Sequence, residues 1–328
     1  MISHNRDRNG KRLWTENSRG RSLILFQAPD DRAEALWIAR RVLGLDSETT
    51  REGMAVLYRT NAQSRQFEEA FRRHRIPYQV VGAVQFYERK EVKDLLAYLK
   101  LLGNPADSVS FRRVLCAPPR GIGETTLKIL VETAKARSIS LKAAGVLALE
   151  QALVRQRPAA MLRAFLEFLD EHERLAAETP VAVLIEELIR TIQYEAYLER
   201  TYPGEAADRV ENVRALVSAA VEFEKEIEEP TLLGFLDRSA LTADADEVGA
   251  QPGVTLMTIH CAKGLEFPVV FLAGLEENLF PHSRSAVSAQ DMEEERRLCY
   301  VAMTRAKERL FLSHAAVRLQ QGVPVANA

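Results

Sequence analysis

A chain of 328 residues, 47% hydrophobic and 27% charged, is long enough for two ordinary domains and falls among soluble globular proteins. No apolar run reaches the roughly 18 residues that cross a bilayer, and the polar start Met1-Ile2-Ser3-His4-Asn5-Arg6 is unlike a secretory signal, so a cytoplasmic protein is expected. The net charge of -2 gives no overall pull on a polyanion, and the three cysteines, Cys116, Cys261 and Cys299, lack the paired spacing of a disulfide framework or a zinc site.

Residues 1–22 are rich in arginine and have no apolar periodicity, which reads as a basic arm. A buried strand is expected at Leu23 to Gln27, a helix from Asp31 to Leu43, a strand from Met54 to Tyr58, a helix from Ala62 to His74 and a short strand from Tyr78 to Val81. Short apolar strands alternating with helices of this length predict a parallel sheet covered by helices. A helix over Glu88 to Leu102 leads to the turn signal Gly103-Asn104-Pro105, and from there to about Ala250 nearly every segment has helical spacing. The acidic, turn-rich run Asp244 to Gly253 ends this block. Strands return at Val254 to Thr258, Val269 to Ala273 and Leu310 to Ser313. Two pieces of α/β sequence, neither sufficient for a sheet, predict one sheet domain interrupted by a helical insertion.

Four stretches could carry chemistry. In Thr258-Ile-His-Cys-Ala-Lys-Gly-Leu-Glu-Phe267 a strand gives way to a polar loop, where Thr258 and His260 can donate to phosphate oxygens. Gly264 permits a tight turn, and Glu266 is an acceptor suited to a sugar hydroxyl. The carboxyl ends of parallel strands are where ligands bind, and Thr258, His260 and Lys263 are expected there. Taken alone, His260 reads first as a core histidine.

The second stretch is Glu293-Glu-Glu-Arg-Arg-Leu-Cys-Tyr-Val-Ala-Met-Thr-Arg-Ala306. Acids in a first turn suit the helix dipole, so a helix is expected to start near Met292, with Leu298, Val301, Ala302 and Arg305 on one face. A guanidinium on a packing face needs an anion. That anion is a nearby Glu in the plainer reading, or a transferring phosphoryl group, a role worth roughly 10³ to 10⁵ in rate where it occurs.

In Leu57-Tyr-Arg-Thr-Asn-Ala-Gln-Ser-Arg65, Arg59, Thr60, Asn61 and Arg65 cluster at a strand-to-helix turn, where phosphate contact and simple capping are both open. Pro119-Arg-Gly-Ile-Gly-Glu-Thr-Thr-Leu127 sets Gly121, Ile122 and Gly123 in a turn between helices expected at Ser110 to Cys116 and Thr125 to Ala136. Its backbone N–H groups can face a phosphate, and any tight helix link can use such a turn. No GxxxxGK[ST] motif occurs, and no apolar strand ends in an acidic pair able to hold magnesium.

Together with Gly10-Lys-Arg-Leu-Trp-Thr15 and Phe86-Tyr-Glu-Arg-Lys-Glu-Val-Lys-Asp94, these stretches closely resemble the UvrD, PcrA and Rep family of superfamily 1A DNA helicases, over nearly the whole chain. That family has two RecA-like domains with ATP between them and single-stranded DNA across their tops. The resemblance implies the C-terminal half. A second RecA-like domain, a P-loop NTPase fold without the P-loop, is expected at residues 1–103 and 251–328, interrupted by a helical inserted subdomain at 104–250.

By the same resemblance Arg305 is the arginine finger, and Glu266 beside Gly264 contacts the nucleotide ribose. Arg59, Asn61, Thr258 and His260 contact single-stranded DNA, while Gly121, Ile122 and Gly123 contact the duplex at a single/double-strand junction. ATP with Mg²⁺ is implied as cofactor, shared with the N-terminal RecA-like domain as partner. That domain, its phosphate-binding lysine and its magnesium-binding acids are missing. A fragment of a longer helicase, or a truncated or split reading frame inactive alone, is therefore expected. The alternative is a non-catalytic fragment that binds DNA or protein through the helical insertion.

Overall fold

The computed structural model describes residues 2, 5, 20–244, 253–283, 285, 288–320 and 322–327. Most of the basic arm, with the Gly10 to Thr15 motif, and most of the acidic run after Asp244 lie outside them. The chain divides into two compact units: residues 1–86 with 245–328, and residues 87–244.

In chain order the elements are β1 (Ile24–Asp30), α1 (Asp31–Leu45), β2 (Met54–Tyr58), α2 (Ser64–Arg73), β3 (Tyr78–Val81), α3 (Lys90–Gly103), α4 (Ser108–Cys116), α5 (Glu124–Arg137), α6 (Leu141–Glu150), α7 (Gln156–Glu178), α8 (Val181–Thr191), α9 (Tyr194–Thr201), α10 (Ala206–Glu226), α11 (Leu232–Asp244), β4 (Val254–Thr258), β5 (Phe267–Leu272), α12 (Ala289–Met303), β6 (Ala306–Gln320) and β7 (Val323–Ala326). The mixed α/β class with a parallel central sheet, expected of a RecA-like domain, is what the chain adopts.

The first unit is one sheet in the order β1-β6-β5-β2-β4-β3, with β7 off this path and paired to the end of β6. Every pairing along that order is parallel, and only β7 runs antiparallel. Alternation along the strands supplies two cores, one on each face. Met54, Val56, Val269 and Phe271 pack with Ile38, Val42, Phe67 and Phe71 of α1 and α2. Ala55, Leu57, Val270 and Leu272 point the other way, toward Leu298 and Ala302 of α12. Helices on both faces explain why β2 is buried at every position.

The expected buried strand at Leu23 to Gln27 is corrected. Strand β1 begins at Ile24, and Leu23 and Leu25 stand 61% and 66% exposed, because β1 is a sheet edge paired, among the described residues, only to β6. The second unit is helical throughout its regular elements, and it begins at Tyr87, before the turn at Gly103. Helix α3 belongs with it because Leu95, Tyr98, Leu99 and Leu101 are buried all round against helical neighbours, among them α4, α7, α8, α10 and α11.

Candidate functional site

Because the central strands run parallel, their carboxyl ends form one edge of the sheet and their amino ends the other. Strands β2 and β4 are adjacent and in register, with Tyr58 opposite Thr258. The segments that leave them, Arg59 to Asn61 and Thr258 to His260, therefore emerge side by side at the carboxyl edge. Gly264 and Glu266 do not share that edge. Residues 259–266 run from the end of β4 to the start of β5, so Glu266 stands immediately before Phe267 at the amino edge. Arg305, just ahead of Ala306 in β6, is there too.

At the carboxyl edge the Gln63 side chain closes the turn after β2, its Oε1 accepting from the N–H groups of Arg59 and Thr60, each at 2.9 Å. Asn61 is half-buried and opens a short 3₁₀ turn for which Thr60 is the cap. The Arg59 guanidinium meets Glu295 of α12 side-on: Nε donates to both carboxylate oxygens at 3.1 Å and Nη2 to Oε1 at 2.7 Å. Glu295 also accepts from the His282 N–H at 3.3 Å and the Ser285 hydroxyl at 3.1 Å. Burial works against ionising this carboxyl, but Arg59, His282 and Ser285 outweigh it and hold its pKa below the ordinary glutamate value. Nothing in the spacing of the sequence announces this pair, since its partners are 236 residues apart.

Thr258 is half-buried and donates its hydroxyl to Cys261 Sγ at 3.3 Å. His260 is exposed, which corrects the reading of an isolated core histidine. Strand β4 ends one residue before the buried Ile259, and the chain turns so that His260 points outward while Ile259 and Ala262 fill the core.

The amino edge is assembled around Arg305. Helix α12 stops at Met303 with Thr304 as its cap, so Arg305 is not on the helix face that spacing alone would give it. Of Leu298, Val301, Ala302 and Arg305 only Ala302 is buried. The turn is what delivers Arg305 to the Glu266 segment: the Phe267 N–H donates to Arg305 O at 2.9 Å, and Arg305 Nη1 donates to Leu265 O at 2.9 Å. Its Nε donates to Val301 O at 3.0 Å and Nη2 to the Thr304 hydroxyl at 3.1 Å.

Every one of these acceptors is neutral, and among the described residues no carboxylate pairs with Arg305. The structural ion pair with a nearby Glu is therefore corrected. Glu266 is exposed and pairs with the equally exposed Lys307 at 3.5 Å, a contact worth about 0–1 kcal/mol and easily exchanged. Gly264 has φ +85, with open space where a side chain would stand. That left-handed value is strained for other residues, and it turns the loop toward Glu266.

In the helical unit, Gly121, Ile122 and Gly123 link α4 to α5, with Gly121 at φ +72 and Gly123 as the cap of α5. The link is moored from within. Arg120 Nη1 donates to Val114 O at 2.6 Å and Pro118 O at 2.9 Å, its guanidinium lies 4.7 Å over the Phe165 ring, and Nη2 bonds the Tyr98 hydroxyl. Burial raises the Tyr98 phenol to about 12, with Arg120 opposing, so the hydroxyl stays a donor, to Ala117 O at 2.9 Å. The backbone N–H groups of Gly121, Ile122 and Gly123 have no partner among the described residues. The same holds for metal centres: no group of three or more His, Cys, Asp or Glu is placed to hold an ion. No described helix is long and apolar enough to cross a membrane.

A model of the UvrD-like helicase C-terminal domain matches residues 1–316. The chain is 39% identical over 327 residues to the ATP-dependent DNA helicase PcrA of Bacillus subtilis (strain 168), covering 97% of this chain and 44% of that protein. It is 38% identical over 350 residues to the ATP-dependent DNA helicase PcrA of Staphylococcus aureus (strain Mu50 / ATCC 700699), covering 100% of this chain and 45% of that one. The chain thus spans a little under half the length of these relatives.

Proposed function

The chain belongs to the UvrD-like helicase C-terminal domain family, and on that premise we propose that it is the C-terminal half of an ATP-dependent 3′ to 5′ DNA helicase acting in DNA repair or replication. The observation that carries the reading is the position of Arg305. Its guanidinium sits at the amino edge of a parallel sheet, half-exposed, joined to the Glu266 loop and, among the described residues, hydrogen-bonded only to neutral oxygens. A charged donor in that state gains when an anion replaces a carbonyl, because charge-assisted hydrogen bonds are about twice as strong as neutral ones.

Arg305 would meet the γ-phosphate of an ATP held mainly by the other RecA-like domain, and Glu266 would accept from its ribose. ATP supplies the free energy of the cycle. By the family resemblance the magnesium ligands would come from the other domain. Asn61, Thr258, His260 and Arg59, on the opposite edge, would contact the phosphates and bases of a single strand. Stacking and phosphate contacts of this kind tolerate sequence and weaken with salt. The open N–H groups of Gly121 to Gly123 would meet duplex phosphate at a junction. Separate edges suit a motor, because closing the nucleotide edge on its partner shifts the strand contacts without competing for the same side chains.

The test is ATP hydrolysis by the purified chain, alone and mixed with a first RecA-like domain. We expect no turnover alone and DNA-stimulated turnover in the mixture. Arg305→Ala should lower that turnover by roughly 10³-fold or more. Retained turnover in that variant removes the finger assignment.

A further inference from the structure

We propose that Glu295 is a positioning residue for strand binding: it holds the Nε side of Arg59 so that the opposite fork of the guanidinium is presented to a backbone phosphate. The inference rests on the reading of the carboxyl edge as the single-strand surface. A guanidinium has two faces for bidentate contact, the side formed by Nε with Nη2 and the end formed by Nη1 with the outer N–H of Nη2. Glu295 occupies the first through its bonds to Nε and Nη2. Among the described residues Nη1 has no partner, and the Arg59 side chain is 20% exposed while Glu295 is 6% exposed. The charge that faces solvent is therefore on arginine, and the acid lies beneath it.

Two features make this more than a surface pair. Glu295 is fixed from its other side by the His282 N–H and the Ser285 hydroxyl, so it cannot follow Arg59 outward. Arg59 is fixed at its own backbone by Gln63 Oε1. With both ends held, the torsions of a long side chain are already restricted before a phosphate arrives, and the entropy normally lost on ordering it is not charged to binding. A lysine at position 59 would keep the charge but could not bond Glu295 and a phosphate through two planar edges at once.

The experiment is binding of a fluorescent oligo-dT to the full chain by anisotropy across a salt titration, for wild type, Arg59→Ala, Glu295→Gln, Glu295→Asp and the double variant Arg59→Ala/Glu295→Gln. We expect E295Q and R59A each to weaken binding by about an order of magnitude at low salt and to lower the slope of log affinity against log salt by about 0.7, the loss of one single-strand phosphate contact. The double variant should bind no more weakly than R59A, and E295D, which restores the charge, should recover part of the loss.

E295Q binding as tightly as wild type, or more tightly, overturns the positioning role, as does a double variant in which the two losses add. Should E295Q fail to fold, Ser285→Ala removes one bond from the carboxylate without touching Arg59. A smaller loss in the same direction supports the proposal, and unchanged affinity overturns it. Failure of the wild-type chain to bind oligo-dT, or an R59A variant equal to wild type, would bring down the carboxyl-edge reading itself. In the first set of contrary results, by contrast, R59A still weakens binding and only Glu295 loses its role.

Discussion

Arg318 brings its charge into the interior of the sheet unit, where it is held by acids from two other segments. Nη2 donates to Glu34 Oε2 at 2.7 Å and to Glu276 Oε1 at 2.6 Å, Nε donates to Glu276 Oε2 at 2.9 Å, and Asp31 lies 3.9 Å away. Both glutamates are wholly buried and satisfied further, Glu34 by the Gly274 N–H and the Ser313 hydroxyl, Glu276 by the Ala315 N–H and Asn327. Burial disfavours the charged arginine, but Glu34, Glu276 and Asp31 outweigh it and raise its pKa. Arg318→Leu strands two buried carboxylates, so urea unfolding should show a loss of about 3–5 kcal/mol. A loss below about 1 kcal/mol would mean that the acids find other partners or become neutral without strain. No reading of the sequence marks these residues, because hydropathy assigns each of them to solvent and their pairing exists only once β6 lies beside β5. Arg305 is the converse case. The motif around it singles it out, but not its location, since helical spacing places it on α12 whereas the chain has already turned at Thr304.

Among the elements, β2, β3 and β4 could be read from the sequence to the residue, since β2 and β4 are apolar runs flanked by turn signals and β3 follows Pro77. Strand β6 could not. Its buried positions past Leu312 are Ser313, Ala315 and Arg318, a small hydroxyl, a methyl and a charge, so burial alternates only as far as Ala315 and hydropathy carries no trace of the strand beyond Leu312, nor of β7, which pairs with its last residues. The β3–β4 pair makes a different demand on its sequence. A side chain at Gly253 would stand 2.4 Å from the carbonyl carbon and oxygen of Pro77 and 2.7 Å from the Tyr78 nitrogen, all backbone atoms. The adjacent Val254 N–H donates to that same Pro77 oxygen at 3.0 Å. Relief by a rotamer change is therefore impossible, and Gly253→Ala must part the two strands. We expect about 1–3 kcal/mol of destabilisation, with faster amide exchange along Tyr78–Val81 and Val254–Thr258 than elsewhere in the sheet. Unchanged exchange there would show that the start of β4 shifts without disturbing the ladder.

At the scale of the whole molecule, one unit is continuous in sequence while the other is built from two pieces that flank it. In the sequence, strand-like periodicity gives way to helical spacing at Gly103 and returns after Gly253, whereas the compact units part at Tyr87 and Asp244. The border at Tyr87 falls inside a motif, Phe86 to Asp94, that contains no glycine or proline. Each unit has its own interior: the sheet unit buries Val56, Phe271 and Leu272, and the helical unit buries Phe111, Leu162, Leu169, Ile185 and Leu216. Separate cores of this size are separate cooperative units, and a single all-or-none transition is not required of them. Calorimetry of the intact chain should then resolve two transitions, or one broadened so that its van't Hoff enthalpy falls below the calorimetric value. Arg318→Leu should lower only one component, and Leu169→Ala, which opens a cavity costing about 2–5 kcal/mol, should lower only the other. A single transition that both substitutions shift equally would mean that the two pieces of sheet cannot hold together once the insertion has unfolded. In that case the insertion would serve the sheet as a structural clamp as well as carrying the turn at Gly121 to Gly123.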